Sequence, residues 1–290
     1  MGYKKFNNPI KETNILRKKI ILYFCVGLFL LLLNVLWFFL DVTGDLEATH
    51  HFILKNGQWK VALVSDLHIR PGQESARKSL EILWKEDFDL LFFLGDMVDS
   101  RFRLKDLENF FLQLPKRGQR FAILGNWEYW SGIAIKMKRF YQNHGVRLLV
   151  NEAIRVKVPN NDEILLVGLD DRLAGNLDWG KAIAGYENWR GPILVLSHSP
   201  ASYDDVLQII TLGGMENSIQ SLMLSGHTHG GQIKIFGWVL DFDIRHTPYL
   251  AGWYNQEKRF SLYVSRGIGT SILPVRIGVR PEVVFFNFGQ

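Results

Sequence analysis

Cysteine is almost absent: Cys25 stands alone among 290 residues. That excludes an internal disulfide framework and a cysteine-based zinc module. Surplus charge is scarce too. The chain carries +5 overall, but residues 1–19 hold six basic groups and one acid, Glu12. The other 271 residues balance 28 basic against 28 acidic groups, so the pI of 9.2 is no argument for nucleic-acid binding. After residue 45 there is no repeat, low-complexity tract or Gly/Ser/Pro linker. What is plentiful is apolar content, 47% of residues with 22% charged. That suits a packed core and excludes a disordered chain.

One apolar run is long. Ile20–Leu40 reads IILYFCVGLFLLLLNVLWFFL, without a charge and with Asn34 as its only strongly polar side chain. As a helix it reaches about 31 Å, enough to cross a hydrocarbon core. A buried core helix rarely runs so far without a polar face. A cleaved signal peptide would need a shorter run and a small-x-small site, which DVTGDLEATH does not offer. The expected organisation is a basic tail over 1–19, a transmembrane helix over 20–40, a linker over 41–55 and one domain over 56–290. Cys25 falls inside the span as inert packing. Arg17, Lys18 and Lys19 precede the span, and Asp41, Asp45 and Glu47 follow it. The positive-inside rule then puts the N-terminus in the cytoplasm and the domain outside a bacterial-type cytoplasmic membrane.

The domain alternates. Short apolar runs recur at 61–64, 90–94, 121–124, 164–167, 193–196, 222–224, 262–264 and 283–286, each the length of a buried strand. Helix-like stretches lie between several of them, at 74–85, 104–114, 132–142 and 201–210. Buried strands alternating with helices argue an α/β layered fold.

Polar clusters follow five of these runs: Ser65-Asp66-Leu67-His68, Gly95-Asp96-Met97-Val98-Asp99, Gly125-Asn126-Trp127-Glu128, Ser197-His198-Ser199 and Ser225-Gly226-His227-Thr228-His229-Gly230. One Asp or Asn after a strand is often only a helix cap. Five clusters beyond strand ends occupy the place where α/β sheets bind ligands. Asp, Asn and His without thiolate suit a first-row divalent ion. Manganese is favoured; iron, zinc or magnesium also fit. Seven candidate ligands are too many for one ion, and Asp96 is a natural bridge. Paired ions of this kind serve in-line displacement at phosphorus.

In this order and spacing the five blocks resemble those of the calcineurin-like metallophosphoesterases. The anchor and the tail SRGIGTSILPVRIGVRPE are similar to the membrane-anchored YkuE and YaeI branch. The resemblance implies a four-layer α/β/β/α sandwich. It implies that Asp66, His68 and His229 ligate one metal, that Asn126, His198 and His227 ligate the other, and that Asp96 bridges them. It implies catalytic roles for Asp96, Asn126 and His198, the last two also shaping the oxyanion site, with a metal-bridging hydroxide as the nucleophile. Asp99 and Glu128 match outer acids that orient ligands or hold backbone; a plain helix-start acid is the alternative for Glu128.

The family usually has His where this chain has Trp127. Indole cannot deliver a proton at neutral pH, which tilts the expected substrate toward a pyrophosphate or activated phosphate. A lipid-linked substrate such as UDP-2,3-diacylglucosamine of lipid A synthesis fits the anchor. Its cytosolic location conflicts with the topology read from charge. Another envelope phosphomonoester or phosphodiester, or a non-catalytic scaffold, are the alternatives; nucleic acid is not expected as a partner.

Weaker features remain. Trp127, Arg70 and Arg172 are candidates for substrate contact. Arg266, Arg276 and Arg280 read as structural, with contact to anionic lipid or phosphate as the alternative. Phe236–Leu240 reads as core, with bilayer contact as the alternative. His50, His51, His144 and His246 match no block and read as surface or loop residues, with His246 the first place to seek a substitute acid.

Overall fold

The computed structural model describes residues 9–42, 45–53, 58–212, 221–235, 238–239 and 247–289. The chain divides into two compact units, one ending at Val42 and one beginning at Thr43.

The first unit is a helix, α1 (Pro9–Val42), longer at both ends than the expected 20–40. Its stretch Arg17–Leu36 is long and apolar enough to cross a membrane, by length and composition. Side chains are exposed all round this stretch, and a helix apolar on every face has no soluble solution of its own. Asn34 donates its Nδ2 to Leu30 O one turn back at 2.8 Å, which provides a partner for its polar group in a medium without water.

In the second unit the chain runs β1 (Glu47–Ile53), β2 (Trp59–Val64), α2 (Glu74–Lys85), β3 (Leu90–Leu94), α3 (Leu104–Leu112), β4 (Gln119–Ile123), α4 (Asn126–Trp130), α5 (Ala134–Asn143) and β5 (Arg147–Leu148). It continues through β6 (Glu152–Lys157), β7 (Glu163–Gly168), α6 (Trp179–Ala182), β8 (Ile193–Leu196), α7 (Ser202–Leu212) and β9 (Ser221–Ser225). The short hairpin β10 (Lys234–Ile235) and β11 (Trp238–Val239) follows, then β12 (Gly252–Tyr254), β13 (Phe260–Val264) and β14 (Glu282–Phe288). Every apolar run expected to be a strand lies in one, with ends that agree within two residues. All of LLFFL in β3 and SLMLS in β9 is buried, as continuous runs on two-faced parallel strands require.

Two six-stranded sheets result, in the orders β1-β14-β2-β3-β4-β5 and β12-β13-β9-β8-β7-β6. Leu63, Phe92 and Phe286 from the first meet Leu166, Leu196 and Leu224 from the second in one core. On the outer face of the first sheet, Leu80, Leu107, Phe111 and Met137 bring α2, α3 and α5 down onto Ala62, Leu91 and Phe93. On the outer face of the second, Trp179, Tyr203 and Val206 bring α6 and α7 onto Leu165, Val195 and Met223. The order of layers is helix, sheet, sheet, helix.

Strand direction places the site. β2, β3 and β4 are parallel, as are β7, β8, β9 and β13. Their carboxyl ends, with the loops that leave them, form one edge of the sandwich. β14 runs antiparallel to β2 and β1 runs parallel to β14. Glu47 and Glu282, which pair in register, therefore open their strands at that same edge.

Two expectations need correction here. The stretch 41–55 is not simply a linker, since β1 lies in it. Its half-buried alternation is that of an edge strand, masked in the sequence by two histidines. His50 and His51 are accordingly strand residues; His50 stacks on Phe285 and His51 on Phe286, with ring centres 5.1 and 5.4 Å apart.

Candidate metal centre

Asp66 and His68 leave β2, Asp96 leaves β3, Asn126 opens α4 after β4, His198 follows β8, and His227 and His229 follow β9. Five of these seven residues, Asp66, His68, Asp96, His227 and His229, have φ between 44° and 72°. Non-glycine residues rarely enter this left-handed region, at a cost on the order of 1–2 kcal/mol each. Such strain gathered at one edge marks a functional site. The neighbouring glycines explain how the loops close. A Cβ on Gly226 would collide with Ser65 Oγ and Asp66 Oδ2, and one on Gly125 with Asp96 Oδ1.

Two groups of ligand atoms come together, Asp66 with His68 and His229, and Asp96 with His198 and His227, each within 4.8 Å of one another. His68 Nε2 lies 3.1 Å from His229 Nε2 and 3.7 Å from Asp96 Oδ2. His198 Nε2 lies 3.1 Å from the same Asp96 Oδ2. One oxygen of Asp96 thus faces both groups, while its Oδ1 accepts the Trp127 N–H at 2.8 Å. Nitrogens that share a first-row ion at about 2.1 Å stand roughly 3–3.5 Å apart, so the spacing fits a cation.

Unmet polar atoms point the same way. His198 Nε2 is close to Asp96 but not aligned for a hydrogen bond, and Asn126 Oδ1 is buried; neither has a hydrogen-bond partner among the described residues. Buried polar atoms are rarely left so, and both are of the type that donates to a cation. The donor set, four imidazoles, two carboxylates and an amide oxygen, suits a pair of first-row divalent ions.

Neighbours fix several of these ligands. The His198 Nδ1–H donates to Leu94 O at 2.7 Å, which turns Nε2 toward Asp96 as the atom free to ligate. The His227 N–H is shared by both oxygens of Asp66 at 3.0 and 3.1 Å. Arg276, buried, donates to His229 Nδ1 at 3.0 Å, His229 O at 3.2 Å and Gly269 O at 2.7 Å. Burial brings its guanidinium down to about 10. Burial raises the Asp66 and Asp96 carboxyls. It also lowers His68 and His229 well below the ordinary imidazole value, with the cations around them adding to the effect. For His198 burial works downward as well, but the carboxylates of Asp96, Asp66 and Asp171 outweigh it and raise the imidazole.

The outer acids hold backbone. Glu128, fully buried, accepts the N–H groups of Asp96 at 2.9 Å, Met97 at 2.7 Å and Gly125 at 2.8 Å, so it locks the second block to the third. Asp99 accepts Arg101 N–H and takes Arg70 Nε at 2.7 Å. Arg70 spends its other donors on Thr270 and Ser271, so it ties down the segment after β13. Arg172 pairs with Asp205 on α7 at 2.7 Å. Of the three substrate candidates, Trp127 packs on a ligand, edge to face with His68. His246 lies outside the described residues.

Sequence reading missed the buried acid Glu282, which takes Arg266 N–H at 2.9 Å and Tyr263 O–H at 3.1 Å. Arg266 also reaches Glu47 at 2.5 Å. A lone Glu at the head of an apolar strand carries no local signal. Trp238, within the stretch read as core, is 79% exposed.

Comparison with known proteins gives three results. The family model for calcineurin-like phosphoesterases matches residues 60–231. A transmembrane protein with a metallophosphoesterase domain from Danio rerio is 29% identical over 240 residues, covering 77% of this chain and 52% of its own; the chain spans about half the length of that relative. An uncharacterized metallophosphoesterase from Aquifex aeolicus is 26% identical over 238 residues, covering 79% of this chain and 85% of its own.

Proposed function

Since the chain belongs to the calcineurin-like phosphoesterase family, we propose that it is a membrane-tethered, dinuclear phosphoesterase that hydrolyses a phosphodiester or pyrophosphate bond of a lipid-linked substrate. The observation that carries this reading is Asp96 Oδ2, placed between two buried ligand groups. Asp66, His68 and His229 would hold one cation, Asn126, His198 and His227 the other, with Asp96 between. Cations bound there supply the charge that acidifies water and offsets the phosphoryl oxygens. The protein does the positioning. Leu94 O sets the His198 tautomer, Glu128 fixes the Asp96 loop and Arg276 braces His229. The Asn126 side-chain amide and His198 shape the pocket for the developing negative charge.

Trp127 brings no proton to the leaving group, which favours a group that departs as a stabilised anion. A pyrophosphate such as UDP-2,3-diacylglucosamine meets that condition. Arg17, Lys18 and Lys19 ahead of the span favour the N-terminus in the cytoplasm and the domain on the outer face; on that face the substrate is another envelope phosphate ester, whereas UDP-2,3-diacylglucosamine requires the domain on the cytosolic side. A reporter fused after Gln290 reads the face directly.

The test is metal analysis of the purified chain, with hydrolysis of bis-p-nitrophenyl phosphate, p-nitrophenyl phosphate and UDP-2,3-diacylglucosamine compared side by side. Two equivalents of metal and metal-dependent turnover are expected. A chain that binds no metal and hydrolyses none of the three is a scaffold instead.

A further inference from the structure

The edge that carries the metal centre also carries apolar side chains that the centre does not use. Trp130 closes α4, and Ile135 (94% exposed) lies in the first turn of α5. Trp238 stands on the hairpin that follows His229, and Ile272 and Leu273 stand in the segment after β13. Their supports are firm. Trp130 packs on Trp127 with ring centres 5.4 Å apart, and Trp127 on His68. The 270–273 segment is held by Arg70 on Thr270 O at 2.6 Å, by Ser271 N–H on Gln232 Oε1 at 2.8 Å and by Gln232 Nε2 on Leu273 O at 2.9 Å. Trp130, Ile272 and Leu273 therefore flank the loops of His68 and His229, while Ile135 and Trp238 stand on the elements that follow the Asn126 and His229 loops. Basic residues are interleaved with them: Arg101, half exposed, beside Ser271 and Lys136 beside Ile135. Exposed tryptophans and aliphatics among cations suit the interfacial layer of a bilayer.

β1, the first strand to follow α1 in the sequence, opens at the same edge. Four residues, 43–46, separate Val42 from Glu47. Glu47 opens β1 in register with Glu282, and Arg266 clamps both carboxylates. Gly267, next in sequence, sits against Asp66. At the opposite end of the strands, exposed Phe52 stands on β1, and exposed Trp84, which donates its indole N–H to Gln113 O at 2.8 Å, stands beside exposed Leu112; β1 does not open at that end.

We propose that the rim of the metal centre is a bilayer-docking surface. Trp130, Ile135, Trp238, Ile272 and Leu273 enter the interfacial layer, Arg101 and Lys136 face lipid phosphates, and the phosphate ester reaches the site from within the membrane. Only this last clause rests on the phosphoesterase reading.

The test uses the full chain in a Cys25→Ser background. Single substitutions Trp238→Cys, Ile272→Cys, Phe52→Cys and Leu112→Cys are spin-labelled and reconstituted in nanodiscs of phosphatidylglycerol and phosphatidylethanolamine. The ratio of oxygen to nickel-chelate collision rates is expected to be several-fold higher at 238 and 272 than at 52 and 112. Equal ratios at all four positions overturn the docking surface. Hydrolysis of bis-p-nitrophenyl phosphate by the same chains is followed in parallel. Its absence in the unlabelled parent counts against the phosphoesterase reading and leaves the collision ratios to decide docking.

Discussion

The Trp127 indole meets the His68 imidazole edge to face, with ring centres 6.0 Å apart. An imidazole in place of this indole would stand beside the ligand groups with a proton to give. General acid catalysis is worth about 10²–10⁴-fold when the leaving group needs it. Trp127→His is therefore expected to raise kcat/KM by about 10²-fold for an alkyl phosphodiester and to leave bis-p-nitrophenyl phosphate nearly unchanged. Equal gains on both esters would show that the change acts on packing and not on proton delivery.

Asp96 holds the centre through two different oxygens. Oδ1 is occupied by the Trp127 N–H, and Oδ2 faces His68 and His198. Asp96→Asn keeps a carbonyl oxygen for the backbone contact but removes the shared anionic one. Hydrolysis is expected to fall by about 10³-fold or more, roughly 4 kcal/mol in barrier, and bound metal from two equivalents toward one. Near-UV circular dichroism should be unchanged. Full activity in this variant would end the dinuclear assignment.

Stability of the metal-free protein is expected to fall as pH rises above 6.5. Burial, then the charge of Asp96, push the Glu128 carboxyl up to about 8, against the three N–H groups it accepts. Its ordinary value is 4.5. Between the two, the native chain binds a proton that the unfolded chain lacks, so each step up in pH favours unfolding. Asp66 and Asp96, raised by burial, have the same sign. So has His198, where the carboxylates outweigh burial. His68 and His229, lowered first by burial, oppose this only up to the ordinary imidazole value of 6.5. Thermal melts of chelator-treated protein at pH 6.5, 7, 7.5 and 8 should show a falling Tm. Glu128→Gln should flatten the slope, and cation loading should reverse it. A Tm that rises over this window in the metal-free chain would refute the assignment.

The strands and the five blocks were legible because each signal is local. LLFFL reads as a buried strand wherever it stands, and Asp96 follows it directly. The four-layer order was legible only through family resemblance, since no local pattern reports that Leu63 meets Leu196 across two sheets. β1 was hidden because an edge strand needs no continuous apolar run. Arg70 looked available for phosphate until Asp99, Thr270 and Ser271 were seen to use its donors. The left-handed backbone at Asp66, His68, Asp96, His227 and His229 was not legible, because Asp and His enter that region more readily than most side chains yet adopt ordinary backbone far more often, so residue type alone does not mark it.

That strain carries a consequence for metal removal. Five strained residues cost on the order of 1–2 kcal/mol each, and in the metal-free chain only neighbouring groups hold them, among them Glu128 on the Asp96 loop and Arg276 on the His229 loop. Bound cations add a further support, worth about 2.7 kcal/mol at a hundred times the dissociation constant. Chelation is thus expected to raise amide hydrogen exchange tenfold or more in the loops 65–69, 95–99 and 226–232, while the buried strands β3 and β9 keep their protection. Arg276→Lys should exaggerate the effect in 226–232 alone, because lysine cannot span His229 Nδ1, His229 O and Gly269 O together. Exchange that rises evenly over the domain, or not at all, would mean that the loops hold their conformation without cations and that the strain is borne by the fold itself.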